Sequence, residues 1–454
     1  MKFILILASI IYLSLFNIYC LAEEIKQDES ILKVGLIVPL SGKHQEIGKS
    51  VLNSIRLALS KINDDQIEIF PKDNNSNPER TLFAAKQLEK EGIRIVIGPI
   101  FHQNLIYLEE VQNLTFLSLS NKTKTIPKNV ITIGVNANSQ ISAIVNFIKK
   151  ENLNKTIVLV PRSNFEDELR NALVKSKYEF MNIYSYDVEP NKLTPLIKQI
   201  TAYSERTKKL EKIIEFVEKG IEILEKDEEL EDLKKKYILG EVDLDSVVIN
   251  EKELENLKKK YIFLDIQIKE EELEDLKKKY TLGEVDLDTI VINEKKLKNL
   301  KKKYTLGEIN FDSVVIANFG ENLKSVTNSF SFSDVTAQDV KFITLNQWFD
   351  ETLLKENSAN KIYFPSINLA NYSKFRETYF KNYNKYPPQI SILSYDILGL
   401  IYYINKVQGS DLKKNIFNKK SYVGEVGEFS FEDKIVTHKL DIYQVFDNQF
   451  LKIN

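Results

Sequence analysis

An α/β fold of two doubly wound parallel-sheet lobes, with a helical repeat insertion in the second, is predicted by three observations. Short continuous apolar runs of the kind that form strands buried on both faces recur along the chain. The runs alternate at short intervals with amphipathic, helix-period stretches, and three of them, RIVIGPI, FLSLS and VITIG, end in a Gly, Pro or Ser/Asn cluster, the pattern of a sheet covered by helices. The rhythm occurs twice, and near-identical lysine-rich repeats interrupt its second occurrence. With 454 residues, 43% of them hydrophobic, the chain has material for two cores and is not a disordered polymer.

The elements follow in order. Lys33 to Leu40 (KVGLIVPL) is a strand that turns at Ser41 and Gly42 into a helix over Gln45 to Ile62. Ile67 to Phe70 is the second strand. The polar turn KDNNSNP leads to a helix from Pro78 to Lys90, where proline suits the first turn. RIVIGPI (from Arg94), FLSLS (Phe116 to Ser120) and VITIG (Val130 to Gly134) are three further strands, joined by right-handed crossovers. A second run opens with a helix over Ser139 to Glu151, the strand TIVLV (Thr156 to Val160), a helix from Asp167 and the strand NIYSYDV. It resumes after the interruption with DSVVIA, FITL and KIYFPSI.

The interruption is an internal repeat. LKKKY begins at Leu233, Leu257, Leu276 and Leu300; Leu233 and Leu276 are 43 positions apart, as are Leu257 and Leu300. LGE follows at Leu239, Leu282 and Leu306, and a strand-like run begins at Asp245, Asp288 and Asp312. The last copy reads as the true next strand of lobe 2, so residues 205–310 form an excursion from a helix–strand connection. Before it, Leu210, Ile213, Ile214, Val217, Ile221 and Leu224 fall at helical spacing, a stripe that needs a partner and predicts a coiled-coil-like arm. Each KKK is followed closely by Glu and Asp, so the arm reads as a solvated spacer; the alternative is a partner-binding surface.

Residues 1–22 read as a leader: Lys2, an apolar stretch from Phe3 to Phe16, and cleavage after Ala22, which places the protein in the periplasm. Lipid attachment at Cys20, the only cysteine, is the alternative, but the preceding Tyr19 is larger than such sites favour. Lys and Arg (63) balance Asp and Glu (65), leaving a net charge of -2 and no general reason to expect nucleic acid. HExxH, GxSxG, a P-loop and a strand-linked GxGxxG are all absent, so no enzymatic activity and no cofactor are expected. His44, His102 and His438 are scattered along the chain, and no third and fourth ligand for a metal accompanies them.

PLSG after the first strand, VIGP before a helix, and NKYPPQISILSYDILGLIYYI (Asn384 to Ile404) come in an order that resembles the type I periplasmic binding proteins of the leucine/isoleucine/valine-binding family. FLSLSN, FDSVVIANFGENL (from Phe311), NQWFDETLL (from Asn346) and EVGEFSFEDKIVTHKLDIYQV look most like its penicillin-binding protein activator branch. The resemblance implies three crossovers between the lobes and a cleft at the carboxyl ends of both sheets. Lobe 1 would comprise residues 23–136 and 368–410, and lobe 2 residues 137–204, 311–367 and 411–454. Its partners would be a small-molecule ligand in the cleft and a peptidoglycan synthase; the alternative is a solute receptor serving an ABC-type membrane permease.

Loops following the strands supply the candidate cleft residues, since strand ends and helix N-termini converge there. Lobe 1 offers Ser41, Lys43 and His44, then Phe101, His102 and Gln103, then Ser118, Ser120 and Asn121. Lobe 2 offers Arg162, Ser163 and Asn164, then Asn318, and Gln347 beside Trp348, the only tryptophan. Together they suit a small polar ligand against one aromatic wall, although Ser41 and Gly42 equally suit a tight turn and Trp348 equally suits helix packing. The family's amino-acid receptors pair the ligand ammonium with an acid near the first crossover. Here that stretch, Gly134 to Gln140, has no carboxylate, and Glu166 or Glu321 from lobe 2 would have to substitute.

Overall fold

A computed structural model describes residues 31–241, 247, 250–259, 294–408, 411–417 and 420–453. The leader with its two processing alternatives, and the repeat copies at Leu276, Leu282 and Asp288, lie outside the described residues.

The chain opens with β1 (Leu32–Val38), α1 (Gln45–Ile62), β2 (Ile67–Asp73), α2 (Pro78–Lys90), β3 (Ile95–Ile97), β4 (Thr115–Ser118) and β5 (Val130–Thr132). It crosses into α3 (Ala137–Lys150), β6 (Thr156–Pro161), α4 (Glu166–Lys175), β7 (Asn182–Tyr186), α5 (Pro190–Ile200) and the long α6 (Tyr203–Ile238). After α7 (Glu294–Leu300) come β8 (Ser313–Ile316), α8 (Gly320–Ser331), β9 (Lys341–Thr344) and β10 (Tyr363–Ser366). The last part holds α9 (Leu369–Tyr383), α10 (Ser391–Gln408), β11 (Tyr422–Gly424), β12 (Gly427–Glu432), β13 (Ile435–His438), β14 (Asp441–Phe446) and β15 (Gln449–Ile453).

Two sheets organise these elements. The lobe 1 sheet runs β11-β12-β13-β5-β4-β3-β1-β2, and the lobe 2 sheet β15-β14-β10-β9-β8-β6-β7. Central strands are parallel and buried on both faces, as their unbroken apolar runs require; Val34 to Val38 and Ile157 to Val160 illustrate it. Each sheet carries antiparallel strands at one edge, β11 and β12 in one lobe and β14 and β15 in the other, so the sheets are mixed rather than purely parallel.

The C-terminal assignment needs correction. The stretch after residue 410 was expected in lobe 2, yet β13 pairs parallel with β5 of lobe 1, Ile435 opposite Thr132, and carries β12 and β11 with it. The chain enters lobe 2 only between His438 and Asp441, where β14 pairs antiparallel with β10. A local hydrophobic pattern sets which face of a strand is buried but not which sheet edge receives it. Within residues 368–410 the chain forms two helices: Asn384, with a left-handed φ of 52°, caps the end of α9, and Pro387 and Pro388, which supply no backbone N–H, separate it from α10.

The apolar stripe of α6 finds its partner inside the excursion. Val217 and Leu230 pack with Val247 and Leu254, and Leu297 and Leu300 flank them. Residues 250–259 are helical and run antiparallel to α6, tied by Lys226–Glu253 at 2.8 Å, Lys234–Glu251 at 3.3 Å and Lys258–Asp227 at 3.2 Å. Val247 is itself helical, so the run beginning at Asp245 does not continue there as the strand its sequence suggested. At the root of the arm the guanidinium of Arg206 is buried and donates to Thr201 O, Ser333 O, Thr305 Oγ1 and Asp334 O.

Candidate functional site in the interlobe cleft

On the lobe 1 side the loop after β1 is built around Asp73 at the end of β2. Its carboxylate accepts Leu40 N at 2.7 Å, Ser41 N at 3.2 Å and the Ser41 hydroxyl at 2.5 Å. These hydrogen bonds hold Asp73 below the usual carboxylate range although burial opposes them. Gly48 of α1 completes the loop, since a Cβ there would lie 1.8 Å from Pro39 O. The Ser41 hydroxyl is therefore committed to the turn, while Lys43 is exposed and the His44 ring lies 4.8 Å from that of Phe101.

The next two loops meet each other. Ser118 Oγ donates to Pro99 O at 2.8 Å and accepts from Ser120 N, and Ser120 Oγ accepts from Lys122 N. Gln103 is exposed and reaches Ser76 O at 3.4 Å; Asn121 is exposed. His102 is half-buried, and its Nδ1 is enclosed with no partner among the described residues. Burial, together with the nearby Lys122 charge, holds its pKa below the ordinary 6.5, and Glu168 pulls the other way.

In lobe 2, Gln347 and Asn318 are buried and joined: Gln347 Nε2 donates to Asn318 O at 3.1 Å and to Thr344 Oγ1 at 3.0 Å. Asn318 Nδ2 donates to Tyr186 Oη at 2.9 Å. Gln347 Oε1 and the neighbouring Asn346 Nδ2 are enclosed without partners among the described residues. Trp348 has a left-handed backbone, φ 48°, and packs on the main core as a partly buried residue. Arg162 pairs with Asp187 at 3.0 Å, the Ser163 hydroxyl accepts from Phe165 N, and Asn164 is exposed.

Four residues that sequence reasoning passed over join the lobes. Glu168 in α4 of lobe 2 is buried and accepts Thr123 N and Lys124 N, each at 3.1 Å, and the Thr123 hydroxyl, all from the loop after β4 of lobe 1. Beside it Lys122 Nζ donates to Asn164 O at 2.6 Å and lies 5.8 Å from the Phe165 ring centre. The rim is thus closed by the protein's own charge-assisted hydrogen bonds. The two acids considered as ammonium partners are otherwise engaged: Glu166 binds Arg170 at 2.9 Å and Ser185 at 3.0 Å, and Glu321 binds Lys324 at 2.9 Å. Among the described residues no group of three His, Cys, Asp or Glu is placed to hold a metal.

A family model described as periplasmic binding protein matches residues 31–201. The penicillin-binding protein activator LpoA of Pasteurella multocida is 27% identical over 146 residues, which are 30% of this chain and 24% of that protein. The chain therefore spans about a quarter of the length of the curated activators it matches. The C-domain of LpoA from Haemophilus influenzae, a regulator of PBP1A, superposes with a TM-score of 0.53 at 12% identity, covering 93% of this chain and 100% of that one. A putative branched-chain amino acid ABC transporter structure from Rhodospirillum rubrum superposes with a TM-score of 0.59 at 10% identity, covering 93% and 99%. Residues 31–201 are thus similar to a periplasmic binding protein, and the chain's two lobes together have the type I periplasmic binding fold.

Proposed function

We propose that this protein is an exported, non-enzymatic member of the type I binding fold that acts on a peptidoglycan synthase through its surface, as the name of its activator relatives suggests. The observation that carries the reading is the self-closed cleft. Glu168 takes three hydrogen bonds from the opposite lobe, and Glu166 and Glu321, the two acids considered for a ligand ammonium, are already paired with Arg170 and Lys324. A locked pair of lobes offers a partner one fixed surface rather than a gate. The periplasm, reached by the leader over residues 1–22, is the compartment this function requires; no helix among the described residues is long and apolar enough to cross a membrane.

One observation favours the solute-receptor reading. His102 Nδ1, Gln347 Oε1 and Asn346 Nδ2 are enclosed, without partners among the described residues, at the cleft ends of the two lobes, and buried polar atoms in that state are sites a small polar ligand satisfies. The experiment that decides measures transpeptidation by a purified bifunctional penicillin-binding protein with and without this chain, alongside a thermal-shift screen of amino acids and organic acids. Stimulation of the synthase with a silent screen is the expected result. A stabilising solute, lost on Gln347→Ala, together with an unaffected synthase overturns it. Glu168→Ala is expected to open the lobes, seen as a larger radius of gyration in solution scattering.

A further inference from the structure

A groove of about 730 Å³ lies on lobe 1, between the end of α1, the middle of α10 and the β11–β12 hairpin. It is separate from the residues of the interlobe rim, and its size falls within that of small-molecule sites. Tyr395, Tyr402, Tyr403 and Tyr422 contribute to its lining, and Asp396 and Gly399 of α10 lie along the same stretch of helix.

The Asp396 carboxylate accepts Glu425 N at 2.9 Å and Val426 N at 2.8 Å, one bond to each oxygen. Each oxygen keeps a lone pair, and part of the residue's surface remains open although protein surrounds it. No cation lies within 4 Å of it among the described residues. Lys61 lies on the rim, but it is paired with Glu425 at 3.1 Å, so the carboxylate at the floor is left in excess. The rim displays the matching chemistry: the Lys61 ammonium sits 5.6 Å from the Tyr395 ring centre.

Gly399 keeps the floor clear. It stands in the interior of α10, where glycine costs about 1 kcal/mol relative to alanine. Packing does not demand it, because a Cβ at this position would meet nothing within 4 Å.

We propose that this groove is a binding site, independent of the interlobe cleft, for a ligand carrying a protonated amine on an aromatic or aliphatic body. The amine pairs with Asp396 and the body lies between the tyrosine rings. Calorimetric titration of the full chain with 2-phenylethylamine, its neutral analogue 2-phenylethanol and 3-phenylpropionate tests it. The amine is expected to bind at least about tenfold more tightly than the alcohol, a difference of about 1.4 kcal/mol, and the carboxylate more weakly than either. Gly399→Leu fills the floor and leaves Asp396 itself unsubstituted. It is expected to weaken the amine at least about tenfold while the melting temperature stays level or rises, leucine being the better helix former. Equal affinity for amine and alcohol overturns the proposal. So does amine binding that survives Gly399→Leu, or no amine binding up to about 10 mM.

Discussion

Replacing Asp396 by Asn should change how stability depends on pH, by an amount the structure sets. Burial pushes the Asp396 carboxyl up to about 6 from its ordinary 3.8, against the pull of the two backbone N–H groups it accepts. The folded state therefore holds this proton more tightly than the unfolded chain does. The stabilisation is complete below pH 4, is lost as pH rises through 6, and amounts to about 3 kcal/mol at 1.36 kcal/mol per pKa unit. His438 acts with the opposite sign. Burial lowers it to about 4 from 6.5, so its contribution is complete above pH 6.5 and is lost as pH falls towards 4. The two trends oppose each other between pH 4 and 6.5, and Asp396→Asn should leave the histidine's trend uncovered. Urea unfolding followed by circular dichroism at pH 4 and pH 7 measures it: relative to the parent, the variant should be about 2 kcal/mol better placed at pH 7 than at pH 4, where the unfolded carboxyl is already partly ionised. A difference between the two proteins that stays constant across this range to within about 1 kcal/mol would refute the reasoning.

Two further outcomes follow from the arm. Arg206→Ala removes four donated hydrogen bonds at its root and leaves buried acceptors unmet, so urea unfolding should show a loss of about 3 kcal/mol or more. Arg206→Lys should restore only part, since an ammonium lacks the guanidinium's fork, and full restoration would contradict the assignment. Leu230→Ala empties the small core of the arm at a cost of about 2 to 5 kcal/mol, so hydrogen exchange should rise over residues 250–259 while β6 and β8 stay protected. Unchanged exchange in 250–259 would mean the two helices do not depend on each other.

The strands of both lobes were legible because a strand covered on both faces must be apolar throughout, and Val34 to Val38, Ile157 to Val160 and Val314 to Ile316 are. The rim was legible as a set of loops, but not as contacts. Glu168 sits in an EDEL run that reads as an ordinary solvated helix start, and its partners lie 44 and 45 positions away. Asp396 did leave a signal: it is the only charge in SILSYDILGLIYY, and a lone acid on an apolar helix calls for a buried partner. Ser41 was picked for a ligand because a hydroxyl at a strand end can serve one, and only the position of Asp73 across two strands shows that it serves the turn. The excursion to lobe 1 by β11 to β13 had no local signature, since pairing partners are chosen at long range.

The chain passes between the lobes three times, after β5, after β10 and after β13. No single cut can therefore set either lobe free, and a protease nicking one crossover leaves two tethers in place. The same threading makes the C-terminal segment a shared component. Removing residues 411–453 strips β11, β12 and β13 from one sheet and β14 and β15 from the other, so early termination damages both halves at once. Neither sheet is complete until the strands after residue 411 have been made.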